Sequence, residues 1–137
     1  MQKSTTRKMR TCRSAIHHNQ SKRFELHHER GIEIIIGGGA DPAQVRAALL
    51  GGFADSTILR QHAASMIARD FVPGGPAKYQ IKDTKTALGF AQSLGLELPV
   101  LGLVDGLFTD MVEHGDGELD HSALILELRR RNGLPVS

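Results

Sequence analysis

The chain has few of the residues that fix or anchor small proteins. Cys12 is the only cysteine among 137 residues, so no disulfide can form within the chain, and we expect a reducing, cytoplasmic setting. Tryptophan is absent, and five phenylalanines and one tyrosine are the only aromatics, so leucine, isoleucine, valine and alanine must form the core. No apolar run approaches the roughly 18 residues of a membrane helix. A chain of this length forms one domain with a modest core.

The charges divide the chain into two parts. Residues 1–36 carry eight lysines and arginines against three glutamates, a net charge of +5, and residues 37–137 carry nine against twelve, a net charge of −3. The N-terminus is basic but lacks the apolar h-region of a secretory signal, so we do not interpret it as one. We therefore interpret residues 1–36 as an irregular basic arm, either disordered or read out of frame, and residues 37–137 as the folded domain.

The sequence also lacks the motif that usually binds the phosphates of a dinucleotide. No Gly-x-Gly-x-x-Gly follows a predicted strand, so the phosphate-binding unit of a Rossmann domain is absent from these residues. The triplet at residues 37–39 does not replace it, because Asp41-Pro42 follows and puts negative charge where a pyrophosphate would bind. We predict that the triplet is a turn.

Residues 38–133 show the spacing of apolar side chains that is typical of amphipathic helices, interrupted by regular stop signals. The predicted starts are Asp41-Pro42, Asp55 or Ser56, Lys78, Pro99 and Asp120. The predicted ends are Gly51-Gly52, the stretch 70–76, Gly95, Gly115 and Gly133. The side chains predicted to face the core are Ile58, Leu59, His62, Ala63, Met66 and Ile67, then Ile81, Thr84, Leu88, Ala91 and Leu94, then Leu103, Val104, Leu107, Phe108, Met111 and Val112, and finally Leu124, Ile125 and Leu128.

The segment before these helices is harder to interpret. Residues 1–30 show no sustained period of 3.6 or 2. Residues 31–36 are rich in isoleucine and fit either a strand or the end of a buried helix, because run length alone does not distinguish the two.

Several short motifs in the helical part resemble the C-terminal domain of the 3-hydroxyisobutyrate dehydrogenase family, which includes the tartronate semialdehyde (2-hydroxy-3-oxopropionate) reductases. The motifs follow one another in the family's order and at similar spacing over about 95 residues of the chain. They are Gly39-Ala40-Asp41-Pro42, residues 51–56 (Gly-Gly-Phe-Ala-Asp-Ser), residues 69–73 (Arg-Asp-Phe-Val-Pro), Lys82-Asp83 within Gln80-Ile81-Lys82-Asp83, and residues 119–124 (Leu-Asp-His-Ser-Ala-Leu).

The resemblance implies an all-α helical bundle like the 6-phosphogluconate dehydrogenase C-terminal-domain-like fold. It implies that Lys82 contacts NAD or NADP near the nicotinamide and that Asp83 helps to position this lysine or nearby polar groups. We expect Lys82 to lie in the first helical turn, where the positive end of the helix dipole favours pairing of its ammonium group with an anion. The resemblance also implies a homo-oligomer and a Rossmann domain, in cis or in trans, as partners.

The same resemblance shows what the chain does not contain. The family's general acid is the lysine of a Gly-rich Lys-x-x-Asn motif, and the family's spacing places it near Ser14, where no lysine stands. Lys22 is the nearest lysine, but no Gly-rich segment precedes it. Gly75 stands where many relatives carry phenylalanine. We therefore predict no catalytic residue in this chain.

The sequence supports two functional hypotheses. The first is the C-terminal part of an NAD(P)-dependent oxidoreductase that acts on the CH–OH group of short 3-hydroxy acids or the matching semialdehydes, inactive alone. The second is a non-catalytic helical module that self-associates through its apolar faces. NAD and NADP both remain open, because the residues that read the ribose 2′ position belong to the Rossmann domain.

The remaining histidines and the basic arm are not predicted to form a specific site. The pairs His17-His18 and His27-His28, with Cys12, match no zinc-binding spacing. The arm has one phenylalanine and no tyrosine or tryptophan, so it would attract nucleic acid without specificity. His121 is predicted to lie at a helix cap, His62 in the core and His114 at a helix C-terminus.

Residues 9–36 should form a long, alanine-rich helix if they follow the family, yet they are rich in arginine, histidine and serine. We hypothesise that this segment is read out of frame, or begins at a false start, upstream of an authentic domain. We expect another frame of the encoding DNA upstream of Gly38 to contain the Gly-rich Lys-x-x-Asn motif. If sequencing that DNA shows no such motif, the hypothesis is wrong.

Overall fold

A computed structural model describes Gly31 and residues 37–136, and within them the chain is helical. The elements are α1 (Pro42–Leu49), α2 (Thr57–Ala68), α3 (Lys78–Ser93), α4 (Pro99–Glu113), a 3₁₀ turn (His121–Ala123) and α5 (Leu124–Arg131). The described part contains no strand, only one isolated antiparallel bridge between Pro76 and Asp120. These observations confirm the predicted all-α class. No described helix is long and apolar enough to cross a membrane.

The predictions for residues 1–30 and 32–36 lie outside the described residues. They include Cys12, the two histidine pairs and the choice between strand and helix for the isoleucine-rich segment. Gly31 and Gly37, on either side of that segment, are both helical. Gly38 and Gly39 form a turn before α1, as predicted for the triplet 37–39. Gly37, the first residue of the triplet, is helical instead.

Side-chain caps fix the starts of the first two helices. Asp41 Oδ1 accepts a hydrogen bond from the Ala43 N–H at 2.8 Å, and Pro42 is the first helical residue, as predicted. Ser56 Oγ accepts from the Leu59 N–H at 3.0 Å, so Ser56, not Asp55, caps α2. Asp55 instead accepts from the Gly51 N–H at 2.9 Å and pairs with the Arg60 guanidinium.

Left-handed residues end the helices, and one of them is unexpected. After α3, Gly95 has a φ of +70°, and the Leu96 N–H reaches back to the Ala91 carbonyl at 3.0 Å, the pattern predicted for this end. After α2 the left-handed residue is Arg69, with a φ of +56°. A side chain in this conformation costs about 1 kcal/mol or more. Its guanidinium donates to the Val136 carbonyl at 2.5 Å, a contact that helps to hold the chain there.

The core lies around α4, which packs against α3 on one side and α5 on the other. Its inward face is fully buried along five positions, and α5 contributes the three side chains that were predicted. The buried residues of these two helices include Leu101, Val104, Leu107, Phe108, Met111, Leu124, Ile125 and Leu128.

Some predicted core positions are wrong. Leu94 is 55% exposed because α3 ends at Ser93, and Leu103 is 39% exposed because Leu101 and Val104 take the inward positions of α4. The pattern also missed Gln80 and Glu127, which are polar or charged and yet buried. A search for apolar residues alone passes over such side chains, because their burial needs hydrogen-bond partners from other segments.

Glu127 is a buried carboxylate that joins α4 to α5. Its Oε2 lies 2.9 Å from His114 Nδ1 and 3.2 Å from Arg130 Nη1, and its Oε1 lies 3.8 Å from Arg131 Nε. Arg130 also pairs with Asp116, and this contact raises the pKa of the Arg130 guanidinium, although partial burial acts in the opposite direction. Arg130 and Arg131, in the last turn of α5, therefore stabilise the helix end through ion pairs. These pairs act in addition to the predicted interaction with the helix dipole.

Replacing Glu127 with glutamine should therefore destabilise the domain. Glu127→Gln keeps the size of the side chain but removes its charge, and hydrogen bonds to charged groups contribute about 1.5–3 kcal/mol. Chemical denaturation at neutral pH measures this change in the free energy of unfolding. Glu118→Gln is the matched control, because Glu118 pairs with Lys78 at the surface and its loss should have little effect. Equal effects of the two variants would contradict this role for Glu127.

Candidate functional site

Lys82 and Asp83, the two predicted cofactor-binding residues, both lie exposed on α3. The helix begins at Lys78, so Lys82 stands in its second turn. The prediction of a first-turn lysine is wrong, and the helix dipole contributes less to its environment than expected, since that effect falls off within the first turn. Side chains at adjacent helical positions point about 100° apart, so Asp83 does not lie alongside Lys82.

The start of α3 is held by the chain that precedes the 3₁₀ turn. The Asp120 N–H donates to the Phe71 carbonyl at 3.0 Å, and the Ala77 N–H donates to the Leu119 carbonyl at 2.8 Å. The Lys78 N–H then donates to the Gly117 carbonyl at 3.0 Å. These three main-chain bonds run between residues 71–78 and 117–120, so two segments distant in sequence determine where α3 begins.

Asp120 connects the same two segments with its side chain. Its Oδ2 accepts from the N–H groups of Gly74 at 3.1 Å and Gly75 at 3.4 Å, and its Oδ1 accepts from the Ser122 N–H at 3.0 Å and the Ser122 hydroxyl at 2.7 Å. Burial acts to raise the pKa of Asp120, but the bonds from Ser122, the charge of His121 and the bond from Gly74 together hold it below its ordinary value. Asp120 was predicted to cap the last helix, but it caps the 3₁₀ turn that precedes α5, and it also binds the loop before α3.

His121 lies in the 3₁₀ turn and contacts α2, α3 and the loop before α3. Its Nδ1 lies 3.2 Å from Nε2 of Gln80 on α3, and its ring centroid lies 5.4 Å from that of His62 on α2, with the planes at 63°. A Cβ atom on Gly75 would lie only 2.7 Å from His121 Nε2, so the ring fills the space where a side chain at position 75 would begin. His121 was predicted as a cap residue, and these contacts show that it also packs against the start of α3.

Gln80 and Thr84 complete the polar contacts on the inner face of α3, and the sequence search did not identify them as site residues. The Thr84 hydroxyl is fully buried, contacts the Asp105 carboxylate of α4 and lies 3.0 Å from the Gln80 carbonyl oxygen. Gln80 belongs to the Gln80-Ile81-Lys82-Asp83 motif, but only its last two residues were assigned a role. The signal that could have found Gln80 is a polar residue at a position where helical spacing predicts burial.

Two other features of the described structure do not involve Lys82 or Asp83. An open cavity of about 200 Å³ lies between α1, α2 and α5, and its lining includes Ile67, Phe71 and Ile125. Arg69 and Arg129 also line it, and both donate to carbonyls of the C-terminal residues 135–136. Among residues 37–136 no three histidine, cysteine or acidic side chains are grouped so that they could hold a metal ion.

The helical arrangement matches a known class of domain. A 3-hydroxyisobutyrate dehydrogenase from Salmonella typhimurium superposes with a TM-score of 0.75 at 18% identity, covering 81% of this chain and 39% of that one. A Mycobacterium tuberculosis 3-hydroxyisobutyrate dehydrogenase, in a structure described with L-serine, gives a TM-score of 0.71 at 16% identity over 88% of this chain and 42% of that one. The fold is therefore that of the helical C-terminal domain of these dehydrogenases.

Sequence comparison identifies the family. Residues 32–128 match the family described as the NAD-binding domain of NADP-dependent 3-hydroxyisobutyrate dehydrogenase. The 2-hydroxy-3-oxopropionate reductase of Escherichia coli (strain K12) is 46% identical over 90 residues, which are 66% of this chain and 31% of that protein. A probable mitochondrial 3-hydroxyisobutyrate dehydrogenase-like protein of Arabidopsis thaliana is 36% identical over 96 residues, 70% of this chain and 31% of that protein. This chain belongs to the 3-hydroxyisobutyrate dehydrogenase family.

The matched region spans less than a third of the length of these curated relatives. The family match confirms the predicted resemblance and the NAD(P)-binding character of the family. It does not test the individual roles of Lys82 and Asp83, which stay predictions.

Replacing Asp120 should destabilise the domain in a pH-dependent way. Asp120→Ala removes a cap and the bonds to Gly74 and Gly75, a change that costs about 1–2 kcal/mol at neutral pH. Because the folded-state pKa of Asp120 is lowered from 3.8, its charge stabilises the fold above about pH 4, and this contribution is lost as the pH falls towards the folded value. Denaturation of both proteins at neutral and acidic pH measures the difference. A difference that does not shrink in acid would contradict an ionic role.

Proposed function

We propose that this chain supplies the helical, cofactor-contacting part of an NAD(P)-dependent oxidoreductase that acts on the CH–OH group of a short 3-hydroxy acid. The observation that carries the proposal is the exposed Lys82 on α3, within a domain that matches the NAD-binding family along residues 32–128. In the described part of the structure no carboxylate forms an ion pair with Lys82, so its charge is available to an anionic ligand.

The chemistry of Lys82 fits a dinucleotide. Its ammonium group is a compact charge on a flexible stem, suited to cofactor oxygens near the nicotinamide. Asp83, on the neighbouring face of the helix, would hold nearby polar groups by accepting hydrogen bonds. When bound, NAD(P) supplies the hydride chemistry, and the residues described here bind and orient it.

The substrate that we propose is a short semialdehyde or hydroxy acid. A relative named 2-hydroxy-3-oxopropionate reductase is 46% identical in the matched region, while the 3-hydroxyisobutyrate dehydrogenase-like proteins of Arabidopsis thaliana are 33–36% identical. These values favour the oxopropionate class over the isobutyrate class. The site offers a helix face and a lysine for the cofactor but no general acid, so we propose that the chain is inactive without a Rossmann domain supplied in cis or in trans.

A specific observation favours a second role, self-association as a non-catalytic helical module. Leu94, Leu96, Val100 and Leu103, around the turn between α3 and α4, are all large apolar side chains that remain exposed. Burying them against a second copy would remove apolar surface from water. Homo-oligomer formation is therefore part of the proposal, and it is compatible with either role. The cytoplasmic location stays a prediction from the single cysteine.

Binding of the reduced cofactor to the purified full chain tests the first role. We expect NADH or NADPH to bind, with a change in cofactor fluorescence, and Lys82→Ala to weaken binding about tenfold, which corresponds to the loss of one charged contact of about 1.4 kcal/mol. Lys85→Ala is the matched control, because Lys85 is also exposed on α3 and should leave the affinity unchanged.

Three results would contradict different parts of the proposal. If Lys82→Ala and Lys85→Ala weaken cofactor binding equally, Lys82 makes no specific contact and only the general positive charge of α3 attracts the cofactor. A mass that rises with concentration, without any effect of NADH or NADPH, would support the self-associating module instead. Reduction of a short semialdehyde by this chain alone would show that the proposed inactivity is wrong.

A further inference from the structure

We propose that His121 is a positioning residue for the cofactor contact. It contacts Gln80 and Gly75 at the start of α3, so its protonation is coupled to the position of Lys82 on that helix. This inference rests on the proposed function insofar as Lys82 binds NAD(P). The coupling between His121 and α3 stands on contacts within the chain and can be measured without any cofactor.

The contacts place His121 at the junction that defines the first turns of α3. The ring bonds to the Gln80 amide at 3.2 Å and covers Gly75 so closely that a Cβ there would lie 2.7 Å from Nε2. Gln80 is only 9% exposed, and it precedes Lys82 by two residues on the same helix. A change in the bond between His121 and Gln80 therefore acts on the helical segment that carries Lys82.

The Gln80 amide can change from hydrogen-bond donor to acceptor when the charge of the ring changes. With its Nε2 facing His121, it donates to the neutral ring nitrogen Nδ1, and its buried Oε1 has no hydrogen-bond partner among the described residues. A protonated ring carries a hydrogen on Nδ1 and needs an acceptor there. Rotating the amide by half a turn would bring Oε1 to that hydrogen, which satisfies the oxygen and makes the bond charge-assisted.

A neighbouring carboxylate favours the charged form of the ring. Asp120 Oδ2 lies 3.9 Å from Nε2 of His121, and this carboxylate belongs to the same turn. Of the elements packed against the ring, α2 presents His62, α3 presents the uncharged Gln80, and the loop before α3 presents Gly75. Asp120 and His62 are thus two titratable groups beside the His121 ring, and both lie within residues 37–136. Protonation should strengthen the link to α3, so we expect tighter cofactor binding below the pKa of His121.

A pH titration of the cofactor-free chain by NMR tests the coupling. The probes are the His121 ring nitrogens and the backbone amides of Lys82 and Asp83, followed from about pH 5.5 to about pH 8.5 around the usual imidazole pKa of about 6.5. We expect the two amides to shift with the midpoint of the His121 ring. In Gln80→Met, which keeps the length of the side chain but cannot form the bond, this shift should be lost although the ring still titrates. Amide shifts that persist in Gln80→Met would overturn the coupling.

The affinity for NADPH over the same pH range tests the consequence for the site. We expect about threefold tighter binding at the acidic end, as a charge-assisted bond replaces a neutral one, and no such gain in His121→Asn, whose side chain can form a hydrogen bond but does not titrate. His114→Asn is the control, because His114 pairs with Glu127 at the end of α4, far along the chain from α3. Thermal unfolding of each variant identifies any loss of fold.

The outcomes separate the two proposals. A pH-dependent affinity that survives in His121→Asn, or that disappears equally in His114→Asn, would overturn the role of His121 while the binding of NADPH stands. A chain that binds no NADPH at any pH, but whose Lys82 and Asp83 amides follow His121 through Gln80, would contradict the proposed function and retain the coupling.

Discussion

The structure depends on one join, in which residues 71–78 and 117–120 pair through main-chain hydrogen bonds and Asp120 binds both sides of the pairing. Without it, α3 would have no fixed beginning, since Ala77 at its N-cap offers no side chain to hold the first turn. Instead of a neighbouring side-chain cap, the carbonyls of Leu119 and Gly117 accept the N–H groups of Ala77 and Lys78. The position of every residue on α3, including Lys82, follows from this join between segments about forty residues apart.

Most of the helical architecture could be predicted from the sequence because its signals are local. Asp41-Pro42 and Gly95 act through the conformations of one or two residues, and the structure confirms both. The choice between Asp55 and Ser56 needed the structure, because Asp55 is engaged by Arg60 and Gly51 and only Ser56 remains to cap α2. Arg69 ends α2 in a left-handed conformation that no local rule assigns to arginine.

The candidate site was less predictable, because its contacts link segments that are far apart in the chain. The resemblance to the family pointed to Lys82 and Asp83, and the structure shows both exposed on one helix, though a turn later than expected for the lysine. Gln80 was part of the same motif, but its side chain bonds to His121, which lies 41 residues away. The fit between Gly75 and His121 likewise exists only in three dimensions.

The C-terminal residues connect two helix ends that share no main-chain hydrogen bond with each other. Arg69, at the end of α2, donates a hydrogen bond to the carbonyl of Val136, and Arg129, in α5, donates one to the carbonyl of Pro135. Tension applied to the C-terminus would thus reach these two guanidinium groups before it reaches the core. Through these two bonds, residues 135–136 would distribute such a load over both α2 and α5 rather than over the last helix alone.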